Sequence, residues 1–147
     1  MSFLSSLNIN ASGMTAQRMR LDVAAENIAN VETTRTEGGG PYRRKLVVLE
    51  AQDDSFHEVL SRTMAGKSTQ TNAGVRASMI LEDETELKAV YDPEHPDADE
   101  QGYVRMPNID MVKEMTDSMA ATRSYEANIT AYNAVKLMAQ KALEVGR

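Results

Sequence analysis

Residues 4–28 read LSSLNINASGMTAQRMRLDVAAENI, and Leu4, Leu7, Ala11, Met14, Leu21, Ala25 and Ile28 fall alternately three and four apart once Arg18 is admitted. That spacing lays one apolar stripe along a helix and marks a coiled-coil seam. Such a helix, about 25 residues long, spans roughly 37 Å. Gly13 inside it costs about 1 kcal/mol relative to Ala, which predicts a close approach by a second helix. The helix should stop near Asn30. Val31, Thr33, Thr34 and Thr36 are β-branched, and Gly38, Gly39, Gly40 and Pro41 cannot continue it.

Working outward, Tyr42 to Ala51 reads as a strand in which Arg43, Arg44 and Lys45 lead into the apolar run Leu46 to Leu49, the basic triplet being expected in solvent at a protected strand edge. Phe56, Val59, Leu60 and Met64 predict a helical turn or two between Asp53 and Met64, followed by a loop from Gly66 to Gly74. Val75 to Leu81, Leu87 to Tyr91 and Tyr103 to Met106 are further strands, broken by turns around Pro93 and Pro96. A second long helix should follow Pro107, with Asn108 as its cap and Asp110 at the positive end of its dipole. Met111, Val112, Met115, Met119, Ile129, Tyr132, Val135, Met138, Ala139 and Leu143 keep a helical period to about Val145, where Gly146 stops it. The predicted class is α+β: N- and C-terminal helices pair as a coiled coil around a small, irregular, β-rich middle. The divisions are 1–31, 32–107 and 108–147.

Composition narrows the function. No Cys among 147 residues excludes disulfides, thiolate metal sites and cysteine nucleophiles. A net charge of −6 disfavours nonspecific binding to nucleic acid or anionic membrane. Glu82 to Glu100 holds nine carboxylates against Lys88 alone, a net of −8. No run approaches the roughly 18 apolar residues of a membrane span, and no basic and apolar leader marks a secretory signal.

Chemical motifs are weak. Gly66, Lys67 and Ser68 imitate the end of a phosphate loop, but Ser61 stands where its first glycine belongs. Asp97, Asp99, Gln101 and Gly102 copy the start of a calcium loop, yet its last ligand position is Asn108, and Pro93 and Pro96 block an entering helix. His57 and His95 lie far apart without partners at metal-binding spacing. No catalytic, cofactor or metal site is predicted.

Two blocks then become specific. Ser12, Gly13, Met14, Thr15, Ala16 and Gln17, with Leu21, Asp22 and Val23 and the run Asn27 to Thr34, resemble the N-terminal signature of bacterial flagellar rod and hook axial proteins. Thr122 to Ile129, with Ala131, Asn133 and Lys136, is similar to the C-terminal helix of that family. Gly39 to Arg44 and Tyr91 to Asn108 look like the middle of its proximal-rod members. Glu26 departs from the Asn common there, placing a carboxylate at the negative end of the helix dipole.

The resemblance implies a structural rod subunit of the flagellar basal body, exported without a cleaved signal through the flagellar type III apparatus and polymerised in the periplasm. It implies contacts with other rod subunits, the membrane-ring protein and the rod–ring junction protein, and transmission of torque to distal rod and hook. One helix cannot cover the whole apolar face of another, so the monomer should be unfinished, its terminal helices ordering fully only in a polymer. The expected assembly positions are Leu7, Met14, Leu21, Ile28, Met115, Met119, Ile129 and Tyr132, with Asn27 and Asn30 at the helix exit. Alternatives are a small metal-dependent cell-wall hydrolase built on Asp97, Asp99 and His95, or a soluble helix-pair adaptor with one partner.

Overall fold

The architecture is given by a computed structural model that describes residues 3–52, 60, 63, 64 and 74–145. The first helix, α1, runs Phe3–Ala29 and ends where the β-branched and glycine-rich stretch begins. The strands β1 (Lys45–Ala51), β2 (Val75–Glu82), β3 (Lys88–Tyr91) and β4 (Tyr103–Met106) follow, then α2 (Met111–Val145). The α+β class holds, with the described strands confined to two small sheets, β1 with β2 and β3 with β4. Of the helical turns expected between Asp53 and Met64, Leu60, Thr63 and Met64 are helical; the rest of that stretch, and nearly all of the loop from Gly66 to Gly74, lie outside the described residues, as do His57 and the Gly66, Lys67, Ser68 motif.

β3 and β4 pair antiparallel, with Lys88 opposite Met106 and Tyr91 opposite Tyr103. The two tyrosine rings meet edge to face at 5.3 Å, a favoured aromatic geometry. Gly102 closes this hairpin at φ +80°, and a Cβ there would lie 3.0 Å from the Tyr91 ring. Both the left-handed backbone and the crowding require glycine.

Asp110, rather than Asn108, caps α2. Its Oδ1 accepts from the Val112 amide at 3.0 Å and from Lys113 at 3.4 Å. Pro107 and Ile109 are buried in the core, so the chain turns into the helix only after them. Asn108 is occupied elsewhere: its Oδ1 accepts the Arg44 amide, and its Nδ2 donates to the Asp83 carbonyl and Thr85 Oγ1.

The chain divides into two compact units, one of Met1–Arg18, Leu49–Ser78 and Thr122–Arg147, the other of Met19–Val48 and Met79–Ala121. Within the first, Gly13 of α1 meets Asn128 of α2 so closely that a Cβ would lie 3.0 Å from the amide nitrogen, the close approach its glycine predicts. Ser12 Oγ also accepts from the Val75 amide at 3.1 Å, tying α1 to the start of β2. Within the second, Val104 at 0% exposure, Ile109, Val23, Ala24, Tyr42 and Ala121 form the apolar core.

The helix seam is not the one the apolar spacing predicts. On α1, Leu4 is 69% exposed and Ala11, Arg18 and Ala25 are also exposed, while Leu7, Met14, Leu21 and Ile28 are half-buried. The inward line is Ile9, Gly13, Ala16, Arg20, Val23 and Asn27. This line keeps the same three-and-four alternation but sits two residues later, which on a helix is a rotation of about 200°. On α2, Glu114, Ser118, Ala121, Tyr125, Asn128, Tyr132, Val135 and Ala139 are buried or half-buried at the same alternation. Of these two lines, Ala16, Val23, Asn27, Glu114 and Ala121 are the fully buried members.

Candidate assembly surface

The unit formed by Met19–Val48 and Met79–Ala121 encloses a polar hub. Asn27, 1% exposed in the last turns of α1, uses all four hydrogen-bonding positions of its amide. Its Nδ2 donates to the Lys45 carbonyl at 2.9 Å and to Glu114 Oε2 at 3.0 Å. Its Oδ1 accepts from the Lys45 amide at 2.9 Å and from the Tyr42 hydroxyl at 3.1 Å. Glu114 is 2% exposed, and its Oε1 accepts from Arg44 Nε at 2.6 Å. Asp117 and Asp83 lie 3.4 and 3.8 Å from the other guanidinium nitrogens. Among the described residues, no buried side-chain nitrogen or oxygen lacks a partner.

Two corrections to the sequence reading follow. The basic triplet is not a solvated strand edge. Arg44 is buried against Glu114, Lys45 pairs with Glu26, and Arg43 donates to the Asp83 carbonyl. The physical reason is that carboxylates on both helices and on the turn after β2 surround the entry to β1, so each cation finds a partner within the chain. Asn27, expected at the helix exit as an assembly position, lies in the interior of its unit at 1% exposure. The sequence signal for this hub was Glu114, a carboxylate set among Met111, Val112 and Met115, together with a basic triplet in search of a counter-charge.

The hub perturbs its neighbours. Burial away from water, reinforced by the nearby Glu26 charge, pushes the Tyr42 hydroxyl up to about 12 from 10.0. The Asp83 carboxyl is held below its ordinary 3.8, first by the Thr85 amide, then by the Thr85 hydroxyl, with the Arg44 charge helping. Asn30 closes α1: its Nδ2 donates to the Glu26 carbonyl at 2.9 Å, and its Oδ1 accepts from Thr33 Oγ1 at 3.1 Å.

Apolar side chains lie on the outside. Met111, Val112, Met115 and Met119 are all exposed along α2, Val112 at 73%, Met115 at 53% and Met119 at 57%. Within the other unit Ile129, Leu137, Met138 and Leu143 are exposed as well, whereas Tyr132 is half-buried on the inner seam.

The acidic loop is occupied by its own contacts. Asp97 accepts from Thr34 Oγ1 at 2.8 Å and pairs with Arg35. Asp99 Oδ1 accepts from the Gln101 and Tyr103 amides, each at 2.9 Å, and His95 Nδ1 accepts from the Asp97 amide. These bonds give the carboxylates a turn-forming role, and nothing here supports the hydrolase alternative.

Comparison with known proteins gives the family. Residues 7–35 match the family described as flagella basal body rod protein, and residues 100–145 match the flagellar basal body rod FlgEFG protein C-terminal family. The chain is 49% identical to the flagellar basal-body rod protein FlgC of Bacillus subtilis over 97% of both chains. It is 41% identical to that of Borreliella burgdorferi, over 99% of this chain and 98% of the relative. With the protein of the same name from Salmonella typhimurium the identity is 39% over the full length of both.

Proposed function

Since the chain belongs to the FlgC family of flagellar basal-body rod proteins and is a structural subunit of that rod, associating there with other rod components, we propose that it polymerises through the outer faces of its two long helices. The observation that carries this reading is on α2: Glu114 and Ala121 are buried, while Met111, Val112, Met115 and Met119 face outward. Burying such side chains in a neighbour contributes roughly 25 cal/mol per Å² of apolar area, which is the driving force for joining the rod. On this reading Leu7, Met14, Leu21, Ile28, Met115, Met119 and Ile129 contact adjacent subunits. Tyr132 and Asn30 hold the helices that present them.

The finer placement follows from the same premise. The helices, 27 and 35 residues long and so about 40 and 52 Å, line the inner wall of the proximal rod, and residues 32–107 lie outside it. The subunit reaches the periplasm through the flagellar type III apparatus without a cleaved signal. It meets the membrane-ring and rod–ring junction proteins and carries torque by stiffness alone, without catalysis. Among the described residues no helix is long and apolar enough to cross a membrane. Tubes of this kind need heterologous contacts, in which unlike patches meet.

The test replaces Met115 and Met119 together by Glu in a motile host and isolates basal bodies. The expected result is a stably folded chain that is absent from the rod, with swimming lost. Normal incorporation of that variant would remove the reading.

A further inference from the structure

The chain has no Cys and no Trp but ten Met, so its methionine thioethers are its most readily oxidised side chains. Met115 and Met119 lie four apart on α2, more than half exposed, and extend the stripe begun by Met111 and Val112. Residues four apart share a helix face, so oxidation of either sulfur changes the same apolar surface. We propose that Met115 and Met119 form a reversible oxidation site that controls whether the free subunit can join the rod; the inference rests on the assembly face assigned above.

The chemistry is a two-electron oxygen transfer. The thioether sulfur takes one oxygen atom from hydrogen peroxide and becomes a sulfoxide, and the peroxide leaves as water. In the reverse step a dithiol reductant becomes a disulfide, and the sulfoxide oxygen departs as water, a reaction catalysed by methionine sulfoxide reductases. A sulfoxide is a strong hydrogen-bond acceptor that must be stripped of water when a neighbour shaped for an apolar thioether covers it. Oxidation therefore acts on the free subunit, whereas in the polymer the covering neighbour shields both sulfurs. Because neither side chain packs in the core, the fold itself is left intact.

The experiment treats the full chain with hydrogen peroxide, removes the oxidant with catalase, and measures binding to a second purified rod subunit beside circular dichroism and peptide mass spectrometry. The expected result is sulfoxide at Met115 and Met119, unchanged helicity, and at least tenfold weaker binding that a sulfoxide reductase restores. The double variant Met115→Leu with Met119→Leu carries no oxidisable sulfur on this face, so its own binding, measured before treatment, should be unchanged by peroxide. Undiminished binding by the oxidised parent, or equal loss in the Leu variant, would overturn the oxidation site. A Met115→Gln, Met119→Gln variant separates the premise from the inference: if this polar pair binds as tightly as the parent, the face is not an assembly surface at all. If the Gln pair binds weakly while the oxidised parent binds normally, the face stands and the oxidation site fails.

Discussion

Glu114 and Met115 are neighbours on one helix, yet the carboxylate is 2% exposed and the thioether 53%. A monomer built for its own stability would reverse them, since apolar burial stabilises and charge burial costs unless every group is paired. Here the interior charge is fully matched by Arg44 and Asn27, and apolar area stays outside. The difference teaches that the two regions answer to different demands: the hub specifies how the helix ends and β1 meet within one chain, and under the assembly proposed above the outer stripe is what neighbours cover.

Breaking the hub should have the largest effect. Glu114→Ala leaves the Arg44 guanidinium buried without its closest partner, and urea denaturation should show a loss of about 3–5 kcal/mol. The same denaturation followed against pH should lose on the order of 2 kcal/mol between pH 10 and pH 12 through Tyr42. Burial raises the folded pKa, so the unfolded chain gives up this proton first and stability falls as pH climbs through that window. Tyr42→Phe should remove this leg of the pH profile. Gly102→Ala, at positive φ and against Tyr91, should cost roughly 1–2 kcal/mol in thermal unfolding. At the small end, Met115→Ser with Met119→Ser should change monomer stability by no more than about 0.5 kcal/mol while still abolishing incorporation into the rod. A large loss of monomer stability in that variant would erase the distinction between hub and stripe.

The ends of α1, the strand Tyr103–Met106 and the long second helix were all legible because local chemistry decides them: β-branched and glycine residues stop one helix, and Pro107 precedes the other. The phase of the seam was not. Leu4, Ala11 and Ala25 advertise burial by their side chains, but close packing at Gly13, Ala16 and Ala24 turns the opposite line inward. Periodicity gives the repeat of a stripe, and only three-dimensional packing selects which of two interleaved stripes the chain keeps for itself. The cap was misread for a related reason. Asn108 and Asp110 are both good N-cap residues, and Asn108 was claimed by the Arg44 amide and Asp83 carbonyl, partners far away in sequence. Of the expected contact residues, Met115 and Met119 were found outward and Asn27 inward, because an amide with four partners is more stable inside than any half-satisfied alternative.

The ion pair between Glu26 and Lys45 has a consequence for protein engineering across species. A chimera that grafts the first helix of a relative carrying Asn at the equivalent of Glu26 onto this chain strips the Lys45 ammonium of its carboxylate and leaves it over the Tyr42 ring at 5.5 Å. Helix and strand should be transplanted as a matched pair, so a successful swap cuts the sequence after β1 rather than at the glycine run.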